Sequence, residues 1–343
     1  VKDIRTLVAP DGGRVDWGGP SGQIAFSKLG PNKAGEVYLM NPDGSSQQCL
    51  TCGKPTLAPG SSDQPAWHPS GQYIVFQSVD PSLKLPGPLA SLADQLTQGG
   101  AGLNNNLWAM TPDGSQFWQL THVPAGGASL HPHFNAAGTK ILWSSRLVEG
   151  SRLGQGSWAL TLADWVVDGS GPRLANLQNF QPNLARGTFY ESHGFSPDGS
   201  KIVFSASIGR PSMYDLDIWT MDLASGQLTN LTNSPGVWDE HAHYSPSGNK
   251  IVWISSRGYA FTPSARWAAT LKTDYWLMNA DGSNPVRLTY FNEPGYPEYV
   301  GGRTIVADCD WNLDGTAIVA TVAVIAPGLT GSRVVILDLN GPQ

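Results

Sequence analysis

Phe195-Ser-Pro-Asp-Gly199-Ser-Lys-Ile-Val-Phe-Ser-Ala206 is the stretch whose reading decides the fold. An aromatic residue is followed by turn formers, a glycine and an apolar run of strand length. The phrase returns as Trp67-His-Pro-Ser-Gly71 before YIVFQS and as Phe134-Asn-Ala-Ala-Gly138 before TKILWSS. It returns again as Tyr244-Ser-Pro-Ser-Gly248 before NKIVWIS and as Trp311-Asn-Leu-Asp-Gly315 before TAIVATV. A looser first copy, Trp17-Gly-Gly-Pro-Ser-Gly22 before QIAFSK, makes six. A second phrase alternates with it: an aromatic strand, a Met or Leu, a tight turn, and a strand ending near Leu-Thr. Clear copies begin at Val37, Leu107, Ile218 and Tyr275, with looser ones at Trp158 and Val334.

Each pair of phrases reads as two hairpins, hence one four-stranded antiparallel sheet. The Asp-Gly and Ser-Gly turns supply the positive-φ residue that tight hairpins require. Runs such as IVFQ and ILWS bury both faces, as in a sheet covered on each side. Repetition at this period predicts an all-β, six-bladed β-propeller of four-stranded antiparallel blades. It forms a single domain over 1–343, with blades near 11–60, 61–125, 126–185, 186–235, 236–300 and 301–343. The last unit lacks an outer strand, and residues 3–10, with Ile4 to Val8, are expected to supply it and close the ring.

Composition narrows the function classes. Lys and Arg number 21 against 27 Asp and Glu, a net charge of −6 without a basic run. That excludes the cationic neutralisation on which nucleic-acid affinity rests. The most apolar stretch, Ala317 to Ala326, is far short of the roughly 20 residues of a membrane helix. No signal peptide is visible at Val1, which fits a cytosolic protein or a processed mature form. Cys49 and Cys52 stand as Cys-Leu-Thr-Cys, without the second pair of a zinc ribbon or the βαβ setting of a thioredoxin motif. They are read as a short-loop disulfide, with Cys309 a buried thiol. Two insertions interrupt the repeat. Residues 80–103 are Pro-rich with a short helix expected near Ser91 to Thr97, and 257–273 carry Tyr259, Phe261 and Trp267 in an amphipathic turn or helix. Inserted loops of this kind either bind ligands or cap blade edges.

The aromatic-Ser-Pro-Asp-Gly phrase paired with Met-Asn-Ala-Asp-Gly resembles the PD40 repeat of TolB-like six-bladed propellers, over nearly the whole chain. The Gly-His…Trp-Asp pairing of WD40 repeats is absent. The resemblance implies the propeller fold, shared by periplasmic adaptors, ligand binders and parts of hydrolases and lyases. In that fold the residues before each marker aromatic open the innermost strand of a blade, beside a central channel.

Five of the seven histidines lie within five positions of the following marker aromatic, in Leu130-His-Pro-His133, Glu191-Ser-His193 and Asp239-Glu-His-Ala-His243. Blade six adds Asp308-Cys-Asp310. His131, His241 and Asp308 share one register, three residues before the aromatic. Gln64 and Ser192 hold it in blades two and four, flanked in blade four by Glu191 and His193. Imidazoles with carboxylates ligate divalent metals, so His131, His193 and His241 are expected metal ligands for zinc, manganese or calcium. Gln64, Asp239, Asp308 and Asp310 are expected to contact a ligand, and His193, Glu191 and Glu240 are the acid–base candidates. The same residues can instead staple neighbouring blades, and His133 and His243 are expected between blades.

Other motifs fail. Asp308 to Gly315 alternates oxygen residues, yet an EF-hand needs Gly at six and Glu at twelve, where Leu313 and Val319 stand. No G-x-S-x-G, P-loop or dinucleotide fingerprint occurs. Asn230-Leu-Thr232 matches a glycosylation sequon within a repeated Leu-Thr strand end. A further resemblance is to oligogalacturonate lyases, TolB-like propellers with a histidine-rich metal site. It implies a metal neutralising a uronate carboxylate while a His or Arg takes the proton. The chain departs from them in blade number (they have seven) and in lacking Gln-x-x-His-x-His. Three classes stay open: a secreted or periplasmic propeller binding a glycan or small molecule, a metal-assisted polysaccharide lyase or hydrolase, and a scaffold for a protein partner.

Overall fold

All six marker glycines adopt left-handed backbone, with φ between 63° and 75° at Gly22, Gly71, Gly138, Gly199, Gly248 and Gly315. In each, the glycine N–H closes the turn on a carbonyl three residues back, at 2.8–3.1 Å. A side chain is disfavoured in that conformation, so the glycine is what makes the repeat legible. The structure is a computed structural model and describes residues 1–343 apart from 20, 32, 58–59, 86, 99, 149–156, 183–187, 327 and 329.

Six four-stranded antiparallel sheets result, the all-β six-bladed propeller expected from the repeat. Sheet one is β2–β5 (Gly12–Gly18, Gln23–Leu29, Gly35–Met40, Gln48–Cys49) and sheet two β6–β9 (Ser62–Trp67, Ile74–Val79, Asn105–Met110, Phe117–Gln119). Sheet three is β10–β13 (Ala128–Phe134, Lys140–Leu147, Ser157–Asp168, Gly171–Phe180) and sheet four β14–β17 (Tyr190–Phe195, Lys201–Ala206, Asp217–Asp222, Leu228–Asn230). Sheet five is β18–β21 (Asp239–Tyr244, Lys250–Ser255, Asp274–Asn279, Val286–Arg287). Sheet six is β22–β24 (Arg303–Trp311, Ala317–Ile325, Gly331–Asp338), completed by β1 (Asp3–Val8), which pairs antiparallel with β24 from Asp3↔Asp338 to Val8↔Val334. The N-terminal strand therefore supplies the missing outer strand.

The second sequence phrase has its own physical cause. In sheet one the Leu50 N–H donates to Val37 O at 2.8 Å, and the Val37 N–H donates to Thr51 Oγ1 at 2.9 Å. The Thr51 hydroxyl then donates to Glu36 at 2.5 Å. The pattern repeats at Leu120-Thr121 with Leu107 and Asn106, at Leu231-Thr232 with Ile218 and Asp217, and at Leu288-Thr289 with Tyr275 and Asp274. Each Leu-Thr thus extends a ladder past the last regular pair and satisfies a backbone donor that would otherwise be orphaned. The sequon Asn230-Leu-Thr232 lies within one of these staples. A turn glycine of the next blade seats on the same leucine: a Cβ on Gly114 would lie 2.7 Å from Leu50 O, and one on Gly282 2.7 Å from Leu231 O.

Two compact units divide the chain: residues 1–17 with 193–343, and residues 18–192. Within 18–192, one core gathers Ala25, Val37, Leu39, Leu50, Trp67, Ile74, Phe76 and Met110, and another gathers Val75, Leu107, Ile141, Trp143 and Trp165. The 80–103 insertion forms a 3-10 turn (Gly87–Leu92) and a short helix (Ala93–Leu96), as expected, and packs Ala93 and Leu96 on Leu85, Leu103, Ala128 and Leu130. In the other unit Val203, Ile218, Ala242, Ile251, Trp253 and Met278 form the core. The Cys49–Cys52 disulfide and the buried Cys309 thiol are as read from the sequence.

Thr289 is fully buried. Thr289→Val keeps its volume and deletes the staple, leaving the Tyr275 N–H and Asp274 underserved, so a loss of about 1–3 kcal/mol is expected by urea unfolding. Thr229→Val, on the exposed outer strand of sheet four, is the control and should change stability by less than about 0.5 kcal/mol.

Candidate functional site

The register that carried the histidines is a structural singularity. In sheets two, three and five the first strand gains one residue against its partner. Asp63↔Gln77 and Ala66↔Val75 enclose Gln64-Pro65, Leu130↔Ser144 and His133↔Leu142 enclose His131-Pro132, and Glu240↔Ile254 and His243↔Val252 enclose His241-Ala242. Each is a β-bulge with two residues facing one. Proline tolerates such a position because a bulge leaves a residue outside the ladder. The first bulge residue is left-handed in all three, with φ 52° at Gln64, 52° at His131 and 50° at His241. Arg14, three residues before Trp17, shares the register and the sign, at φ 41°. For residues with a Cβ this conformation costs about 1–3 kcal/mol each and persists where surroundings enforce it, commonly at functional sites. Sheet six differs: its bulge falls on Ala307-Asp308, between Val306↔Val322 and Cys309↔Ala320.

Within residues 18–192 the bulge brings together Gln64, His131, Glu191 and Ser192, all buried. Gln64 Oε1 accepts the His131 N–H at 2.8 Å, and its amide nitrogen lies 2.7 Å from His131 Nε2. A Glu191 carboxylate oxygen lies 2.8 Å from that same Nε2. Ser192 Oγ donates to His131 O at 2.7 Å, and the Ser192 N–H donates to Ser144 Oγ at 2.7 Å. An amide N–H needs a lone pair on Nε2, whereas a carboxylate needs a proton there. One ring nitrogen cannot meet both demands at once: protonated it donates to Glu191, and unprotonated it accepts from the Gln64 amide or from a protonated Glu191 carboxyl.

The other unit holds a second cluster. His241 is 4% exposed, with Nε2 3.4 Å from Glu240 Oε2 and Nδ1 3.5 Å from Asp308 Oδ1. Arg14 Nη1 pairs with the other oxygen of Asp308. The imidazole therefore lies between two carboxylates, one of them partly neutralised by a guanidinium. Glu240 is anchored by Trp238, whose indole N–H donates to Oε2 at 2.9 Å. Trp238 is itself stacked on Trp267 at 4.7 Å and edge-on to Phe261 at 5.9 Å. The 257–273 insertion, helical over Trp267–Thr270, thus packs onto the residue that positions Glu240. His193 Nε2 accepts the His241 N–H at 3.1 Å and lies 2.7 Å from Ser205 Oγ. In its neutral form its proton is therefore on Nδ1, and the ring supports the His241 bulge.

Two expected ligand contacts have mainly internal partners. The Asp239 carboxylate accepts the Trp253 indole N–H at 3.0 Å and the Ser234 hydroxyl, and burial raises its pKa. Asp310 accepts the backbone N–H groups of Trp17 and Trp311, each at 2.8 Å, and burial pushes its pKa up to about 7. The Trp311 indole donates to His243 O at 3.2 Å. The sequence reading missed Arg14 and Trp238. Arg14 was findable, standing three residues before Trp17 like its counterparts; Trp238 carried no periodic signal.

No family model matches the chain. Dipeptidyl-peptidase 5 of Porphyromonas endodontalis is 23% identical over 261 residues, covering 72% of this chain and 36% of its own length. The chain thus spans about a third of that relative. Among solved structures, TolB from Acinetobacter baumannii superposes with a TM-score of 0.54 at 14% identity, over 94% of this chain and 64% of that one. An oligogalacturonate lyase in complex with manganese gives 0.53 at 12% identity, over 98% and 93%. The fold is that of TolB-like propellers.

Asp310 supplies a pH signature. Its native pKa lies above the unfolded carboxylate value, so the native state holds the extra proton between about pH 4 and 7. Stability from this group is therefore present below about pH 4 and lost as pH rises to about 7. Asp310→Asn cannot titrate, so the wild-type-minus-variant stability difference should fall over that interval and flatten above it, read by urea unfolding at each pH. A constant difference would show that Asp310 is ionised throughout.

Proposed function

We propose that the chain is a ligand-binding propeller whose buried imidazole–carboxylate clusters hold a divalent cation of the zinc, manganese or calcium class. Through the cation and the adjoining polar groups it would take a glycan or small molecule bearing acidic or hydroxyl groups. The observation that carries this reading is His241, flanked by carboxylates at both ring nitrogens on a backbone held left-handed. Strain of this kind is costly and unnecessary for a strand that merely pairs. In one unit the proposed ligands are His241 through Nδ1 and Asp308, with Glu240 holding the ring at Nε2 and His193 and Trp238 positioning them. In the other they are His131 and Glu191, with Gln64 beside them. Imidazole nitrogen and carboxylate oxygen suit these metals, and Glu191 places a carboxylate oxygen 2.8 Å from His131 Nε2.

A second reading, metal-assisted lysis of an acidic polysaccharide, draws support from the likeness to a manganese-bound oligogalacturonate lyase. Its acid–base groups would be His193 and Glu240 in one unit, or Glu191 in the other. A secreted or periplasmic location is proposed with both, since a disulfide persists in oxidising compartments. Among the described residues no helix is long and apolar enough to cross a membrane.

Elemental analysis of the purified protein is the test. Stoichiometric metal is expected, with the equivalent at His241 lost in His241→Ala, and Trp238→Phe should weaken affinity there by about tenfold because Glu240 loses its anchor. Metal-free protein that gains no stability on adding zinc, manganese or calcium would leave only the scaffold reading. Release of unsaturated uronate products by the loaded protein would favour the lyase.

A further inference from the structure

The four Leu-Thr staples differ in one respect. Each is headed by a polar residue fifteen positions before the threonine: Glu36, Asn106, Asp217 and Asp274. Asn106 is neutral. Asp217 is paired with Arg210 and accepts the Ser234 N–H at 2.7 Å. Asp274 is paired with Arg287 at 2.8 Å and accepts the Phe291 N–H at 2.9 Å. Glu36 is 7% exposed, and among the described residues Thr51 is its hydrogen-bond partner and no cation pairs with it. Lys28 stands opposite it in the ladder, but the ammonium lies 5.9 Å over the Tyr38 ring and 3.5 Å from Gln47. A buried carboxylate without counter-charge is costly, and burial holds the Glu36 pKa above its ordinary value.

Two sulfurs stand beside it. A Glu36 carboxylate oxygen, Cys49 Sγ and Cys52 Sγ lie within 4.8 Å of one another, and the Tyr38 hydroxyl is 3.6 Å from Cys52 Sγ. The loop that carries the sulfurs is held independently of their bond. Leu50 is fully buried, its N–H pairs with Val37 O, and Thr51 ties to both Val37 and Glu36. A bridge between residues three apart also closes too short a loop to add much chain-entropy stabilisation.

We propose that Cys49, Cys52 and Glu36 form, when the disulfide is reduced, a binding site for a thiophilic divalent cation of the zinc class. Two thiolates and a carboxylate are three ligands of types zinc accepts, and the fourth position is left to water. A dithiol reductant supplies two electrons and two protons to the S–S bond and becomes a disulfide itself. The cation then displaces the two thiol protons, and its charge compensates Glu36, the one staple acid that lacks an arginine. Oxidation closes the site, because a disulfide sulfur is no thiolate ligand. The site is separate from the histidine clusters and does not depend on their assignment.

The test is a cobalt and zinc titration of the whole protein. One sample is reduced anaerobically with dithiothreitol and freed of it by gel filtration; the other is left oxidised. Reduction should add one equivalent of metal, with a thiolate-to-cobalt charge-transfer band. Cys49→Ser and Cys52→Ser should lack both, and Glu36→Gln should bind at least about tenfold more weakly. No added equivalent in the reduced protein, or unchanged affinity in Glu36→Gln, overturns the proposal. Loss of the native circular dichroism spectrum on reduction would overturn it as well, since the loop would then need its bridge.

Discussion

A threonine hydroxyl that accepts one backbone N–H and passes its own hydrogen to an acid or amide fifteen residues earlier holds this architecture together. The last two strands of sheets one, two, four and five pair over only two or three residues. So short a ladder would fray without an added donor and acceptor. The Leu-Thr step supplies both, and it fixes where the leucine goes. At Leu50 and Leu231 a turn glycine of the following blade packs against that leucine's backbone, at Gly114 and Gly282. Each bond contributes only about 1 kcal/mol net, but an orphaned buried donor costs more, so the staple is retained in every clear copy of the phrase.

The opposite edge of the blades works by strain. Regular pairing would let the first strand run straight, and its side chains would simply alternate across the sheet. A bulge inserts one residue, bends the strand and re-aims one side chain. At Gln64, His131 and His241 that residue carries a Cβ in left-handed space, a conformation that glycine or asparagine would take more cheaply. The side chains at these positions are polar and buried, and each has polar partners within its own unit that offset the backbone cost. The insertion at 257–273 serves the same cluster from outside, through Trp267, Trp238 and Glu240.

Much of the fold was legible because its signals are local. A glycine in a turn and a buried apolar run act within a few residues, and six copies in register leave little freedom. The completion of sheet six by residues 3–8 followed from counting strands, as an unpaired edge calls for a partner. The candidate site was legible only in part. Gln64, His131, His241 and Asp308 were marked by distance from an aromatic residue. Whether such a group meets a carboxylate or a backbone amide depends on strands far away in sequence. Asp239 and Asp310 looked equivalent to Asp308 on the page; the structure turns the first toward Trp253 and Ser234 and the second toward the backbone of Trp17.

By itself the sequence determined the class of fold, the number of blades and the strand that completes the last one. All are consequences of short-range turn chemistry, periodic hydrophobicity or spacing. Only the tertiary structure decided that the register before the aromatic is bulged in sheets two, three, five and six, that Arg14 pairs with Asp308, and that Glu36 lies buried beside two sulfurs with no cationic side chain paired to it among the described residues. The physical reason is that charge compensation and backbone strain are properties of neighbours in space. A one-dimensional pattern names the residues but not what stands opposite them.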